Sequence, residues 1–198
     1  WVENQTLRSA DPANVPTESL LMAILGPTTT LNVVSSDGFH HYLQDMKHAL
    51  TPVEDYASGQ VFAGTSAPAT TQISQQLWDL IRSRTLSDGD DLRALLRLTR
   101  RIPADSSVKY HHARQLGMSA FQMGEDFLIV GGRRANPWAS LFEKDLEFEM
   151  KFTGTPESAT FVNRNPREGE EREYVTKLDD RRSGNAYGRV ALVPGLSG

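Results

Sequence analysis

The run Phe127-Leu128-Ile129-Val130 leads directly into Gly131-Gly132-Arg133-Arg134-Ala135-Asn136-Pro137-Trp138. Four apolar residues without polar alternation predict a central strand covered on both faces. Two glycines allow a tight turn and close backbone approach, Asn136 suits an N-cap, and Pro137 suits a first helical position. The spacing therefore predicts a strand passing through a glycine turn into a helix over 138–144. That pattern belongs to an α/β fold.

Working back from this run, Val61 to Ala63 reads as a short buried strand, followed by Gly64-Thr65-Ser66 and a helix with Ile73, Leu77, Leu80 and Ile81 on one face. A further helix begins at Asp88-Gly89-Asp90-Asp91, burying Leu92, Leu95, Leu96 and Leu98 and leaving Arg93, Arg97, Arg100 and Arg101 in water. Leu31 to Val34 reads as a strand ending at Ser35-Ser36-Asp37-Gly38; Phe39 to Leu50 fits either a helix or a hairpin. Pro16 to Leu25 predicts a short helix packed as a lid on the core, and residues 1 to 15 a polar arm.

Working forward, a weak strand is expected near Val108 to Tyr110. Leu146, Phe148, Met150 and Phe152 alternate with charged residues as in a half-exposed strand. Residues 159 to 163, 172 to 176 and 187 to 193 complete the strands. The expected fold is α/β. It has a mixed, mainly parallel sheet with helices on both faces, Rossmann-like or periplasmic-binding-like, and antiparallel strands toward the C-terminus. Residues 16–198 form one such domain. It opens on Trp1 rather than Met, and it stops just after a strand, so upstream sequence and a further C-terminal loop and helix are expected.

Composition narrows the function. The chain has 198 residues and a net charge of −4, which disfavours broad electrostatic binding of nucleic acid or anionic membrane. It has no cysteine, which excludes disulfides, thiolate catalysis and cysteine metal sites. The P-loop, dinucleotide-fingerprint and nucleophile-elbow motifs are all missing. His40-His41 and His111-His112 are adjacent pairs, which neither a helix nor a strand aims at one metal, so they are expected to be partly exposed polar positions. No catalytic residue, metal site or cofactor is assigned.

Ligands of open α/β sheets sit beyond the carboxyl ends of strands. The candidate ligand-binding residues are therefore Gly131, Gly132, Arg133, Asn136 and Trp138, with Ser36 and Asp37 after the first strand and Gly64, Thr65 and Ser66 after the second. Arg133 and Arg134 supply positive charge for a carboxylate or phosphate. The plainer reading stays open, with Asn136 and Ser66 as helix caps, Asp37-Gly38 as an ordinary turn and Trp138 as a core aromatic.

Thr30 to Gly38, Glu54-Asp55-Tyr56-Ala57-Ser58-Gly59, and Phe127 to Gly131 with Asn136-Pro137-Trp138 resemble an uncharacterised bacterial α/β domain family. The likeness spans most of residues 17 to 195. Family members tend to carry a second Asn where Pro137 stands, and they continue beyond the strand at 187–193. The resemblance implies an extracytoplasmic portion held by an upstream membrane anchor, often attached to a winged-helix region. It implies sensing or binding, and brings no substrate or catalytic residue with it. The expected function is thus a non-catalytic ligand-sensing or interaction domain, taking a small anionic molecule or a protein partner. It would contact neither nucleic acid nor, without its anchor, membrane. The alternative is a cytoplasmic Rossmann-like enzyme acting on a nucleotide or sugar phosphate, with Asp37 as base.

Overall fold

The computed structural model describes residues 30–47, 49–64, 66–67, 73–99, 102, 107–152, 159–175 and 189–196. The expected arm at 1–15 and helix at 16–25 lie outside them. Helices and strands combine into a three-stranded parallel sheet followed by a three-stranded antiparallel one.

Strand β1 (Thr30–Ser35) is the centre of the parallel sheet, flanked by β2 (Ser107–His112) and β3 (Asp126–Ile129). The Phe127 run was expected at the centre, but among the described residues it pairs on one side only and is half-buried. The centre instead holds Leu31, Asn32, Val33 and Val34, all buried. Asn32 is tolerated there because its amide donates to Glu125 at 2.8 Å and to the Asp126 carbonyl, while its oxygen meets His111 Nε2 at 3.0 Å.

Alternation along β1 sends Leu31 and Val33 to one face and Val34 to the other. Leu31 and Val33 meet Leu95 of α4 (Gly89–Thr99), the helix before β2. Val34 meets Tyr56 and Val53 of α2 (Val53–Ala57), together with Ala113, Phe121 and Trp138. Both faces are therefore covered. A third cluster joins Leu43 of α1 (Gly38–Lys47) to Trp78 and Ile81 of α3 (Gln75–Ser83).

Residues 60–62, at the start of the expected strand at 61–63, form a 3-10 turn after Gly59, which adopts φ +70. Both sides of β1 are already taken, and Phe62 packs its ring under the Arg114 guanidinium at 4.0 Å. Helix α3 is capped by Ser74, whose hydroxyl accepts the Leu77 N–H, so Ser66 is not its cap. Its inward face carries Trp78 and Ile81; Leu77 and Leu80, expected inside, are 41% and 43% exposed. In α4, Leu95 is buried while Leu92 and Leu96 are exposed.

The expected helix at 138–144 is two 3-10 turns, Pro137–Leu141 and Glu143–Asp145. Arg164 satisfies the carbonyls of Glu143, Lys144 and Leu146 from outside, replacing bonds that a continuing helix would make. Strands β4 (Phe148–Phe152), β5 (Ala159–Asn163) and β6 (Glu173–Val175) then form the antiparallel sheet. Residues 189–193 are not in a strand, and 187–188 lie outside the described residues.

Candidate functional site

The order β2-β1-β3 means that the chain leaves β1 toward one side and returns past it to the other. The carboxyl ends of β1 and β3 therefore flank the point where the winding reverses, the usual place for a ligand crevice. Ser36 and Asp37 follow β1, and Gly131 to Asn136 follow β3. The Asp37 N–H donates to the Ala135 carbonyl at 2.7 Å, and a Cβ at Gly131 would stand 3.5 Å from that of Ser36.

Asp37 is the N-cap of α1: its carboxylate accepts the His40 N–H at 3.1 Å and its carbonyl accepts His41 N–H at 3.0 Å. The same carboxylate accepts Tyr56 Oη–H at 3.0 Å and is gripped on both oxygens by Arg114, with Nε and Nη2 each at 2.8 Å. Asp37 is 0% exposed. Burial, with the Asp37 charge adding to it, pushes the Tyr56 hydroxyl well above its ordinary range, so Tyr56 stays a donor. A carboxylate that receives four donors while paired to a guanidinium is poorly placed to abstract a substrate proton.

His40 corrects the expectation of partly exposed histidines. It is buried against Tyr56, with ring centroids 4.8 Å apart, and neither ring nitrogen has a hydrogen-bond partner. Burial lowers its pKa to about 4, the positive charges of Arg114 and Lys47 adding to the effect and Asp37 opposing it, so the ring is neutral near pH 7. His112 is also buried; its Nδ1 accepts the Arg114 N–H, which leaves the proton on Nε2 facing the Leu86 carbonyl.

Asn136 does not cap the turn that follows it. Its amide donates to the Val34 carbonyl at 3.3 Å and the Val130 carbonyl at 3.0 Å, tying β1 to β3 where they part. Its Oδ1 is buried without a partner. Trp138 is a core aromatic, with its indole N–H on the Ala113 carbonyl at 2.8 Å and its ring edge-to-face with Tyr56.

Ser36, Asp37, Gly131 and Asn136 are thus brought together, with Trp138 behind them. The remaining candidates go elsewhere. Gly132 faces Met150, and Arg133 pairs with Glu143 at 3.3 Å and donates to the Met150 carbonyl, fastening the turn to the antiparallel sheet. Arg134 pairs with Asp45 of α1. The two arginines read as anion ligands are therefore partnered by carboxylates of the fold. Gly64 sits on no strand end; its carbonyl receives Trp78 Nε1 and Arg82. Ser66 is exposed, and Thr65 lies outside the described residues.

Sequence reasoning missed Arg114, Tyr56 and His40. Tyr56 lies within a motif carrying the family resemblance, but nothing in one sequence pairs Arg114 with a residue 77 positions away. The chain matches no protein-family model, no curated protein and no solved structure. Among the described residues no cluster of His, Asp or Glu is arranged to hold a metal ion, and no helix is long and apolar enough to cross a membrane.

Proposed function

We propose that this chain is a non-catalytic ligand-sensing or interaction domain of Rossmann-like build, whose contact region is the carboxyl edge between β1 and β3. One observation carries this reading. At that edge Asp37 is bound to Arg114 and Tyr56, Arg133 to Glu143, and Arg134 to Asp45. That wiring supports recognition through backbone and hydroxyl groups rather than acid-base chemistry. The family resemblance adds an extracytoplasmic position behind a membrane anchor.

A thermal-shift screen of nucleotides, sugar phosphates, amino acids and organic acids tests the binding role. A ligand at about 100 times its Kd adds about 2.7 kcal/mol of stability, and the gain should vanish in Ser36→Val. Turnover of any hit, or hits indifferent to Ser36→Val, overturns the reading. Fractionation of the full-length protein tests its location: recovery with membranes and accessibility from the outer side are expected, and a wholly soluble cytoplasmic protein contradicts the anchor.

A further inference from the structure

The five residues between α3 and α4, Arg84 to Asp88, cross the carboxyl end of β1 and take up the donors found there. The Leu86 carbonyl accepts the N–H of Gly38, first residue of α1, at 2.6 Å and His112 Nε2–H at 3.3 Å. Arg114 Nη1 donates to the carbonyls of Ile81 at 2.5 Å and Arg84 at 3.1 Å. Ser87 Oγ lies 2.9 Å from Ser35 Oγ, and Ser36 Oγ accepts the Asp88 N–H at 3.4 Å. Arg84, Thr85, Leu86 and Asp88 are themselves exposed.

We propose that this segment is a displaceable strap occupying the place of a small oxyanion ligand, a phosphate or a carboxylate. Its displacement offers Gly38 N–H, the Ser35 and Ser36 hydroxyls, His112 Nε2–H and Arg114 Nη1 as the binding set. The inference rests on the carboxyl edge being the binding region, and it moves the anion site away from Arg133 and Arg134.

Donors from three elements converge here: the start of α1, the end of β2 and the guanidinium that follows it. Their acceptors in the closed form are neutral carbonyl oxygens. An oxyanion in the same place would make the same bonds charge-assisted and stronger, with the start of α1 contributing its dipole. Arg114 neutralises Asp37 through Nε and Nη2, so its Nη1 edge holds only the strap and its neighbour Ile81 among the hydrogen bonds it makes. A separate observation points the same way. His40, within the first turn of α1 and packed on the Tyr56 and Phe62 rings, is fully buried with neither ring nitrogen hydrogen-bonded, so its one N–H has no acceptor. The closed arrangement thus leaves one buried donor at the start of α1 unsatisfied, which buried polar groups in a settled core rarely are.

Titrations with inorganic phosphate and, separately, succinate on the whole chain test this. Leu86→Gly/Ser87→Gly loosens the strap while keeping every proposed donor; it should bind at least one of the two anions tenfold more tightly than the parent, and adding Ser36→Ala should remove the gain. Equal affinity in the folded loosened variant, or a gain insensitive to Ser36→Ala, overturns the proposal. Should that variant not fold, trypsin cleavage of the parent after Arg84 supplies the readout. Cleavage should quicken severalfold on adding the anion that binds, and cleavage unchanged or slowed by both anions overturns the strap. A neutral ligand or protein partner that maps to Ser36 while the strap stays closed would retain the sensing role and sink only this inference.

Discussion

Arg114 grips both carboxylate oxygens of Asp37 from 77 residues further along the chain, with Nε and Nη2 each at 2.8 Å. The pair joins the end of β1 to the segment after β2. It is asymmetric in burial, Asp37 being 0% exposed and the Arg114 side chain 16%. A guanidinium fork of this kind fixes the direction of both groups, which a lysine would not.

Replacing Arg114 by Met should therefore be among the most damaging single changes in the domain. It leaves the Asp37 carboxylate buried with only Tyr56 and the His40 N–H as donors, and removing one partner of a buried pair costs about 3–5 kcal/mol. Asp37→Asn/Arg114→Met should lose less than Arg114→Met alone, because the stranded charge is gone. Urea unfolding midpoints of the single and double variants check this; a double variant losing the sum of the two single losses contradicts it.

His40 gives the domain a definite pH response. Its folded pKa is near 4, below the 6.5 of the unfolded chain, because burial opposes charging. The unfolded state thus takes up this proton first as pH falls. Stability is unaffected by this group above about pH 6.5 and falls between there and pH 4, by about 3 kcal/mol in all. His40→Phe keeps the ring contact with Tyr56 and removes both unbonded nitrogens. It should be at least as stable as the parent at pH 7 and lose less stability between pH 6.5 and pH 4, as measured by unfolding at a series of pH values.

Local sequence located most of the strands, because an apolar run bounded by turn residues, like the alternation at 146–152, depends on neighbouring residues alone. It located the core less well. Asn32 and Ser35 made β1 look less apolar than β3, yet β1 is the centre, since long-range partners at Glu125, His111 and Ser87 satisfy those polar groups. On α3 the leucine stripe pointed inward only until Trp78 and Ile81 claimed that face. That Ser36, Asp37, Gly131 and Asn136 share one edge was legible because each follows a strand of the same parallel sheet. Arg133 was misread because its partners Glu143 and Met150 belong to elements whose docking no local pattern reveals.

Asn136 stitches β1 to β3 by donating to two backbone carbonyls, so Asn136→Asp places a carboxylate against the Val34 and Val130 oxygens. A buried charge facing acceptors has its folded pKa raised above the unfolded value of about 3.9. The variant is therefore penalised most at neutral pH, and the penalty shrinks as pH falls and the protonated acid can donate one bond. Unfolding of variant and parent at pH 7 and pH 5 should show the gap narrowing at the lower pH. Asn136→Ala, which cannot protonate, should show a gap that does not vary with pH.

Gly131 and Gly132 look interchangeable in sequence but answer to different physics. Gly131 adopts φ +93, which a side chain disfavours, while a Cβ there meets only ordinary contacts near 3.5 Å. Gly132 has no positive φ, and its Cβ would come within 2.9 Å of the Met150 methyl, the mobile end of a flexible side chain. Backbone strain has no outlet, whereas Met150 can rotate away. Gly131→Ala should thus cost about 1–3 kcal/mol and Gly132→Ala clearly less, with Gly132→Ala/Met150→Ala relieving its crowding. Thermal unfolding of the three variants checks the order, and a larger loss for Gly132→Ala than for Gly131→Ala would show that packing against the antiparallel sheet, rather than backbone conformation, governs this turn.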